Sequence, residues 1–232
     1  MLLNKHSLEI PARFTEQDGL RPMLAGVHLT PEHAVETNGH ALVILAHPEG
    51  NPAEYPACGQ SAELVPLDPC TVPGDALARV AKSVPKKKKT LAIINNALVD
   101  TSATNTNGHV TVYTTDLESP QKAELKKLEG RYPSYHNVIP KTPPVFSIGV
   151  NPAYLEKIGR AYRDLGAVGV TVELRDRFKP VMFSGENADG QAMKTLLMPM
   201  EMEGAVGLNR SYVLRQWAEN VNREHTDFWE QF

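Results

Sequence analysis

The chain has 232 residues, 41% of them hydrophobic and 22% charged, with a formal net charge of −3. That balance supports a buried core and excludes a disordered chain, and any nucleic-acid contact would need a local basic patch instead of a global excess. The longest apolar run, Ala41 to Ala46, is far below the ~20 residues that span a bilayer, and MLLNKHSLEIP lacks a signal-peptide pattern, so a cytoplasmic protein is expected.

Along the chain a β-rich texture recurs three times. It first runs from Arg21 to Ala46, RPMLAGVHLTPEHAVETNGHALVILA, where Val27–Leu29 and Ala41–Leu45 read as strands separated by a Thr-Pro step and an Asn38-Gly39 turn. No clear helix precedes it. Residues 47–73 are rich in Pro and Gly and read as a connector with a candidate strand at Glu63–Leu67. Cys58 and Cys70 lie in this connector. They are too few for a disulfide framework and, even with His47, too few for a four-ligand zinc site, so neither metal nor cofactor is expected.

The second segment begins with PGDALARVAKSV, 73–84. Leu77, Val80 and Ala81 fall on one helical face, Asp75 sits near the positive helix start and Pro85 ends the pattern. Strand-like runs follow at Thr90–Ile94, Ala97–Val99 and Val110–Thr114, with an Asn95-Asn96 turn between the first two. LEGRYPSYHNVIPKTPP, Leu128 to Pro144, reads as a connector: Gly130 and Pro133 turn it, Tyr132 and Tyr135 anchor it, and the later prolines stiffen it.

The third segment repeats the order, with a strand at Val145–Val150 and then NPAYLEKIGRAYRDLG as a helix opened by Pro152 and closed by Gly166. Its apolar face is assigned to Tyr154, Leu155, Ile158 and Tyr162, its basic face to Lys157, Arg160 and Arg163. Strands are expected at Val170–Leu174, Pro180–Phe183 and Met193–Met198. Beyond Met202, Tyr212–Trp229 has the spacing of an amphipathic helix. The fold class that results is α+β, with β-α-β-β-β recurring at least twice and a βββ remnant ahead of it.

This repeat, together with RPMLAGV, TNGHAL, LEGRYPSYHNVIP, NPAYLEKI and TLLMPM in that order, resembles the bacterial DNA polymerase III beta sliding clamp family from about Phe14 to Met202. GRYPSYHNVIP looks like the junction closing that family's central domain, and LLMPM like its last strand. The resemblance implies the sliding-clamp (DNA clamp) fold with a C-terminal helical extension. It implies a central-like domain over 1–140 with a truncated first unit, a last-domain-like unit over 141–203 and a helical tail over 204–232. Family subunits have three domains of two units each, and two subunits close a ring around duplex DNA; the resemblance offers no counterpart here of the family's first domain or of the opening unit of its last domain, so neither is expected.

In that family a cleft between the central and last domains captures short peptides of polymerases and other partners. Residue by residue, the resemblance places Leu24, Thr37, Gly39, His40, Leu42, Pro140, Leu196, Met198, Pro199 and Met200 there. Met, Leu and Pro make a deformable apolar cleft suited to several related peptides, although Leu24, Leu42, Leu196 and Met198 are equally the residues of any sheet core. Ala41 stands where the family commonly has Arg, and Glu201-Met202 where it has a basic residue and a leucine, which points to altered partner specificity.

Clamps line their hole with basic helices that touch phosphates without reading bases. Arg79 and Lys82, Lys157, Arg160 and Arg163, and the run Lys86, Lys87, Lys88 and Lys89 are the candidates here, a solvated face being the alternative for the run. Catalysis is not expected: His40, His136, Cys58 and Ser134 have no nucleophile elbow, P-loop or GxGxxG element around them. The implied function is a non-enzymatic, homo-oligomeric processivity factor for replication or repair that holds DNA by its backbone and presents a peptide pocket. The alternatives are a non-ring adaptor or decoy for clamp-binding peptides and a module that binds only itself.

Overall fold

Leu2–Asn4 and Lys5–Ala12 form a strand, β1, and a helix, α1, ahead of the first run of strands. This corrects the expectation that no helix precedes that run. Asn4 starts α1 by accepting the Ser7 amide on its side-chain oxygen at 2.8 Å. The helix escapes periodicity because it is short, carries Pro11 in its last turn and buries only Ser7, Leu8 and Pro11.

The structure, a computed structural model, describes residues 2–16, 21–47, 52–56, 68–85, 92–100 and 108–200. The expected strand at Glu63–Leu67, Thr90 and Leu91, Cys58, the four-lysine run and the C-terminal helix lie outside the described residues. Contacts divide the chain into two compact units, Met1–Ile139 and Pro140–Phe232.

The first compact unit holds two modules of one design. After α1 come β2 (Gly26–Leu29), β3 (His33–Thr37) and β4 (Leu42–Ala46); then β5 (Cys70–Pro73), α2 (Gly74–Ala81), β6 (Asn96–Asp100), β7 (His109–Thr114) and β8 (Gln121–Lys126). β3 and β8 were not expected, since His33–Thr37 and Gln121–Lys126 carry too many polar residues to stand out as strands. Ala92–Ile94, expected as strand, belong to a 3₁₀ turn at Ala92–Asn95, which the Asn96 side chain closes by donating to the Ile93 carbonyl at 3.2 Å.

Each module gives its first strand to the other's sheet. The two four-stranded sheets run β4-β3-β2-β5 and β1-β6-β7-β8, with Val27 opposite Val72 and Ala97 opposite Leu3. α1 packs on α2, and Leu3, Leu8, Val27, Leu29, Val72, Leu77, Val99 and Val112 share one core. The exchange lets each first strand pair with the sheet edge that the other module leaves open. Burying such side chains contributes about 1.5–3 kcal/mol each.

The second compact unit holds one module. Asn151 caps α3 (Pro152–Leu165) through the Ala153 amide at 2.9 Å, and Gly166 ends it at φ 82°. β9 (Thr171–Glu173), β10 (Val181–Glu186) and β11 (Ala192–Leu197) form a sheet in the order β11-β10-β9. Tyr162, Val181, Phe183 and Leu197 make its core, with Ile148, Val150, Ile158 and Leu165 packed against them. The Tyr162 hydroxyl donates to the Phe183 carbonyl at 2.8 Å. Gly185 is required beside it, because a Cβ there would meet the Gly169 carbonyl at 2.9 Å.

Three expectations change here. Tyr154 and Leu155 are exposed, so the core face of α3 is Ile158, Tyr162 and Leu165. LLMPM is only partly strand, β11 ending at Leu197. Val145–Val150 belong to no strand, because among the described residues no neighbouring strand pairs with them; only Gly149 is tied down, its carbonyl accepting the Met200 amide at 3.0 Å.

Candidate peptide pocket and basic helices

A cavity of about 640 Å³ opens in the first compact unit beside the β3–β4 turn. One wall is the turn itself. Thr37 Oγ1 accepts the Gly39 amide at 3.1 Å and donates to the Ala41 carbonyl at 2.7 Å, while Asn38 Oδ1 accepts the amides of His40 and Ala41, each at 2.9 Å. Gly39 adopts φ 86° and lies so near Arg21 that a Cβ would sit 3.1 Å from its guanidinium. These bonds fix the direction in which His40 and Leu42 present their side chains. The turn is a pre-formed rim, not a floppy tip.

The other walls come from a 3₁₀ turn at Pro22–Ala25 and from the connector, through Pro133, Ser134, Tyr135 and Val138. Leu24, Thr37, Gly39, His40 and Leu42, the first-unit residues singled out from the sequence, all line this one cavity. Leu24 is buried and Leu42 half-buried, so the former forms floor as much as wall. Arg21, Met23, Tyr135 and Val138 line it too, and sequence reasoning missed them. Arg21 and Met23 stand inside the quoted RPMLAGV, but no local signal marks them as lining residues, because the rest of the wall comes from the β3–β4 turn and the connector. Arg21 pairs with Glu16 at 3.2 Å and leaves a guanidinium at the rim.

The connector is held from behind. Gly130 takes φ 132° and a Cβ there would lie 3.1 Å from Met23 Sδ, so a side chain would disturb the cavity wall. Tyr132 is buried, stacks on His28 with ring centroids 4.6 Å apart, and donates to Glu36 Oε2 at 3.5 Å. Burial pushes the Glu36 carboxyl up to about 8 and holds the His28 imidazole below its usual range. Tyr135 meets Tyr132 edge-on at 6.5 Å and His136 at 4.0 Å. Thus an aromatic chain leads from the buried acid to the cavity wall.

In the second compact unit Leu196, Met198 and Met200 are exposed and Pro199 half-buried where the chain leaves β11, and Pro140 is exposed at that unit's start. Such a solvent-facing Met-Pro-Met step is apolar surface without core duties.

The candidate cations sit on helices. On α2, Arg79 pairs with Asp75 at 2.6 Å and Lys82 is exposed just past the helix end. On α3, Arg160 pairs with Glu156 at 2.7 Å, Lys157 lies 5.2 Å over the Tyr154 ring, and Arg163 is exposed. Exposed i,i+4 pairs contribute only ~0.3–0.5 kcal/mol, so breaking them costs little. Among the described residues no group of three His, Cys, Asp or Glu is placed to hold a metal ion, and no helix is long and apolar enough to cross a membrane. Cys70 is buried, its thiol pushed up to about 11 by burial.

Crossed first strands, paired helices and antiparallel sheets define a DNA clamp architecture, α+β in class. The chain has the sliding-clamp fold: the DNA polymerase sliding clamp of Pseudomonas aeruginosa superposes with a TM-score of 0.57 at 13% identity over 86% of this chain and 50% of that one. The sliding clamp of Bacillus subtilis gives 0.56 at 14% identity over 87% and 49%, and a chain of Eubacterium rectale described as a DNA polymerase III beta subunit gives 0.53 at 14% over 86% and 50%. The chain therefore spans about half the length of the clamps it matches. No family model and no curated protein matches the sequence.

Proposed function

We propose that this chain is a non-enzymatic, clamp-like processivity factor of DNA replication or repair. It associates with DNA through backbone phosphates and offers to short peptides of polymerases or other partners the cavity at Leu24, Thr37, Gly39, His40 and Leu42 in the first compact unit and the apolar surface residues Pro140, Leu196, Met198, Pro199 and Met200 in the second. The observation that carries this reading is an ordered, partly apolar cavity at a rigid turn in a sliding-clamp fold. In the same reading 1–140 correspond to a clamp's central domain and 141–203 to one unit of its last. A DNA-retention assay tests it: the protein should stay on nicked circular DNA and leave when the circle is linearised. Equal loss from both templates, or no retention, would overturn the reading.

One observation favours a second reading. The third module has no companion module among the described residues, so its pair is not completed within them. A peptide-binding adaptor without a ring would then be the function, recognised by peptide capture in the absence of any DNA association.

A further inference from the structure

The three modules can be aligned residue by residue. Asn4, Pro73 and Asn151 immediately precede α1, α2 and α3, so Leu8, Leu77 and Leu155 occupy the same helical position, as do Ala12, Ala81 and Gly159 one turn later. The strands agree: Val172 faces Phe183 as Val99 faces Val112 and Leu29 faces Ala34. Even the strap after the last strand is repeated, the Leu128 amide donating to the Thr71 carbonyl at 2.8 Å and the Met200 amide to the Gly149 carbonyl at 3.0 Å.

Identical positions have opposite exposure. Leu8 and Leu77 are wholly buried between α1 and α2, whereas Leu155 is 43% exposed. Val27, Leu29, Ala97 and Val99 are at most 2% exposed beneath an exchanged first strand, whereas Val170 and Val172 are 38% and 50% exposed. Ile148 and Val150, the counterparts of Cys70 and Val72, pack inward on one side, but their backbone pairs with no strand among the described residues. The third module therefore displays both halves of an exchange that the first two complete: an extended segment before its helix that is unpaired among the described residues, and an edge, β9, that could receive one.

We propose that a second copy of this chain occupies this surface. Donor strand and acceptor edge lie on the same module, so a two-fold axis satisfies both at once, as an isologous interface requires. The register follows from the first compact unit, where Val72 pairs with Val27, Thr71 with His28 and Cys70 with Leu29. In the dimer Val150 stands opposite the partner's Val170, Gly149 opposite the partner's Thr171 and Ile148 opposite the partner's Val172, while α3 packs on α3 across Leu155 and Gly159. The small residue at Gly159, where a Cβ would meet nothing within 4 Å, leaves room for that crossing. Two copies then supply three complete module pairs.

The test is the register. Gly149→Cys with Thr171→Cys, in a chain with Cys58→Ser, should form an intermolecular disulfide and migrate at twice the 25.5 kDa of one chain without reductant. Either cysteine alone should not, because the template pair brings His28 Nδ1 and Thr71 Oγ1 within 3.1 Å and no other match is near. Light scattering on the unmodified chain should report a dimer, and Val172→Lys or Leu155→Glu should return a monomer with an unchanged circular dichroism spectrum. A monomeric native chain overturns the proposal, as does a monomer that dimerises only when residues 201–232 are removed. A dimer that forms no 149–171 disulfide also overturns it. None of these readouts involves DNA, so a dimer with no DNA retention would sink the proposed function and leave this interface standing.

Discussion

Tyr132, on the connector, donates its hydroxyl to Glu36 of β3 at 3.5 Å, and Glu36 has no exposed surface. The pair ties the wall of the cavity to the middle of a sheet. A carboxyl so placed is neutral at pH 7, because burial raises it from 4.5 to about 8.

Stability should therefore fall between about pH 6.5 and 8. A folded-state carboxyl raised above its unfolded value contributes most below pH 4.5 and loses that contribution as pH rises through 8. His47, lowered to about 4 by burial, has the opposite slope and is spent by pH 6.5. His28 and His33 are also lowered by burial and act in the same sense as His47. Above that pH the acid acts alone, with at most ~1.4 kcal/mol per pH unit for one proton. Urea unfolding at a series of pH values should show a maximum near pH 6.5, and Glu36→Gln should flatten the decline above it. An unchanged slope in that variant would remove Glu36 as its cause.

At the cavity, Leu42→Asp should abolish capture of a clamp-binding peptide. A carboxylate placed among Met23, Leu24 and Val138 loses solvation without gaining a partner, a penalty of several kcal/mol and more than tenfold in affinity. Fluorescence anisotropy of a labelled peptide gives the measurement, with unchanged thermal unfolding as the control. Wild-type affinity in that variant would exclude the cavity.

Reversing charge on α3 addresses DNA. Arg160→Glu with Arg163→Glu should weaken binding uniformly across sequences and lower the slope of log affinity against log salt by about 1 per lost phosphate contact. Filter binding between low and moderate salt reads both quantities. A slope equal to the wild type would show that these arginines only solvate the helix.

Tyr162→Phe should cost about 1–2 kcal/mol in the second compact unit. It removes a donor that serves the Phe183 carbonyl at 2.8 Å and leaves that buried acceptor underused. Chemical denaturation should show the loss in one transition, while unfolding of the first compact unit stays in place.

Much of this was readable along the chain because it is local. The Asn151 cap, Pro152 at the first helical position and Gly166 at the end delimit α3 by themselves, and apolar alternation marks β7. The β3–β4 turn is likewise written in Thr37-Asn38-Gly39, since only a glycine readily adopts φ 86°. The family resemblance picked out Leu24 and Leu42, which the fold brings to one cavity. Sequence reading missed α1, whose apolar pattern is broken by Pro11, and misread Val145–Val150 as a strand, because propensity registers a side chain's preference and not whether a partner edge exists.

By itself, then, the sequence determined where α3 begins and ends, the β3–β4 turn and the class of fold. Only tertiary structure decided that first strands cross between modules, that Arg21 meets Gly39, and that Leu155 is left bare where Leu8 and Leu77 are covered. The physical reason is that caps and turns are satisfied by atoms a few residues away. Burial and strand pairing depend on surfaces brought together from distant parts of a chain, or from a second one.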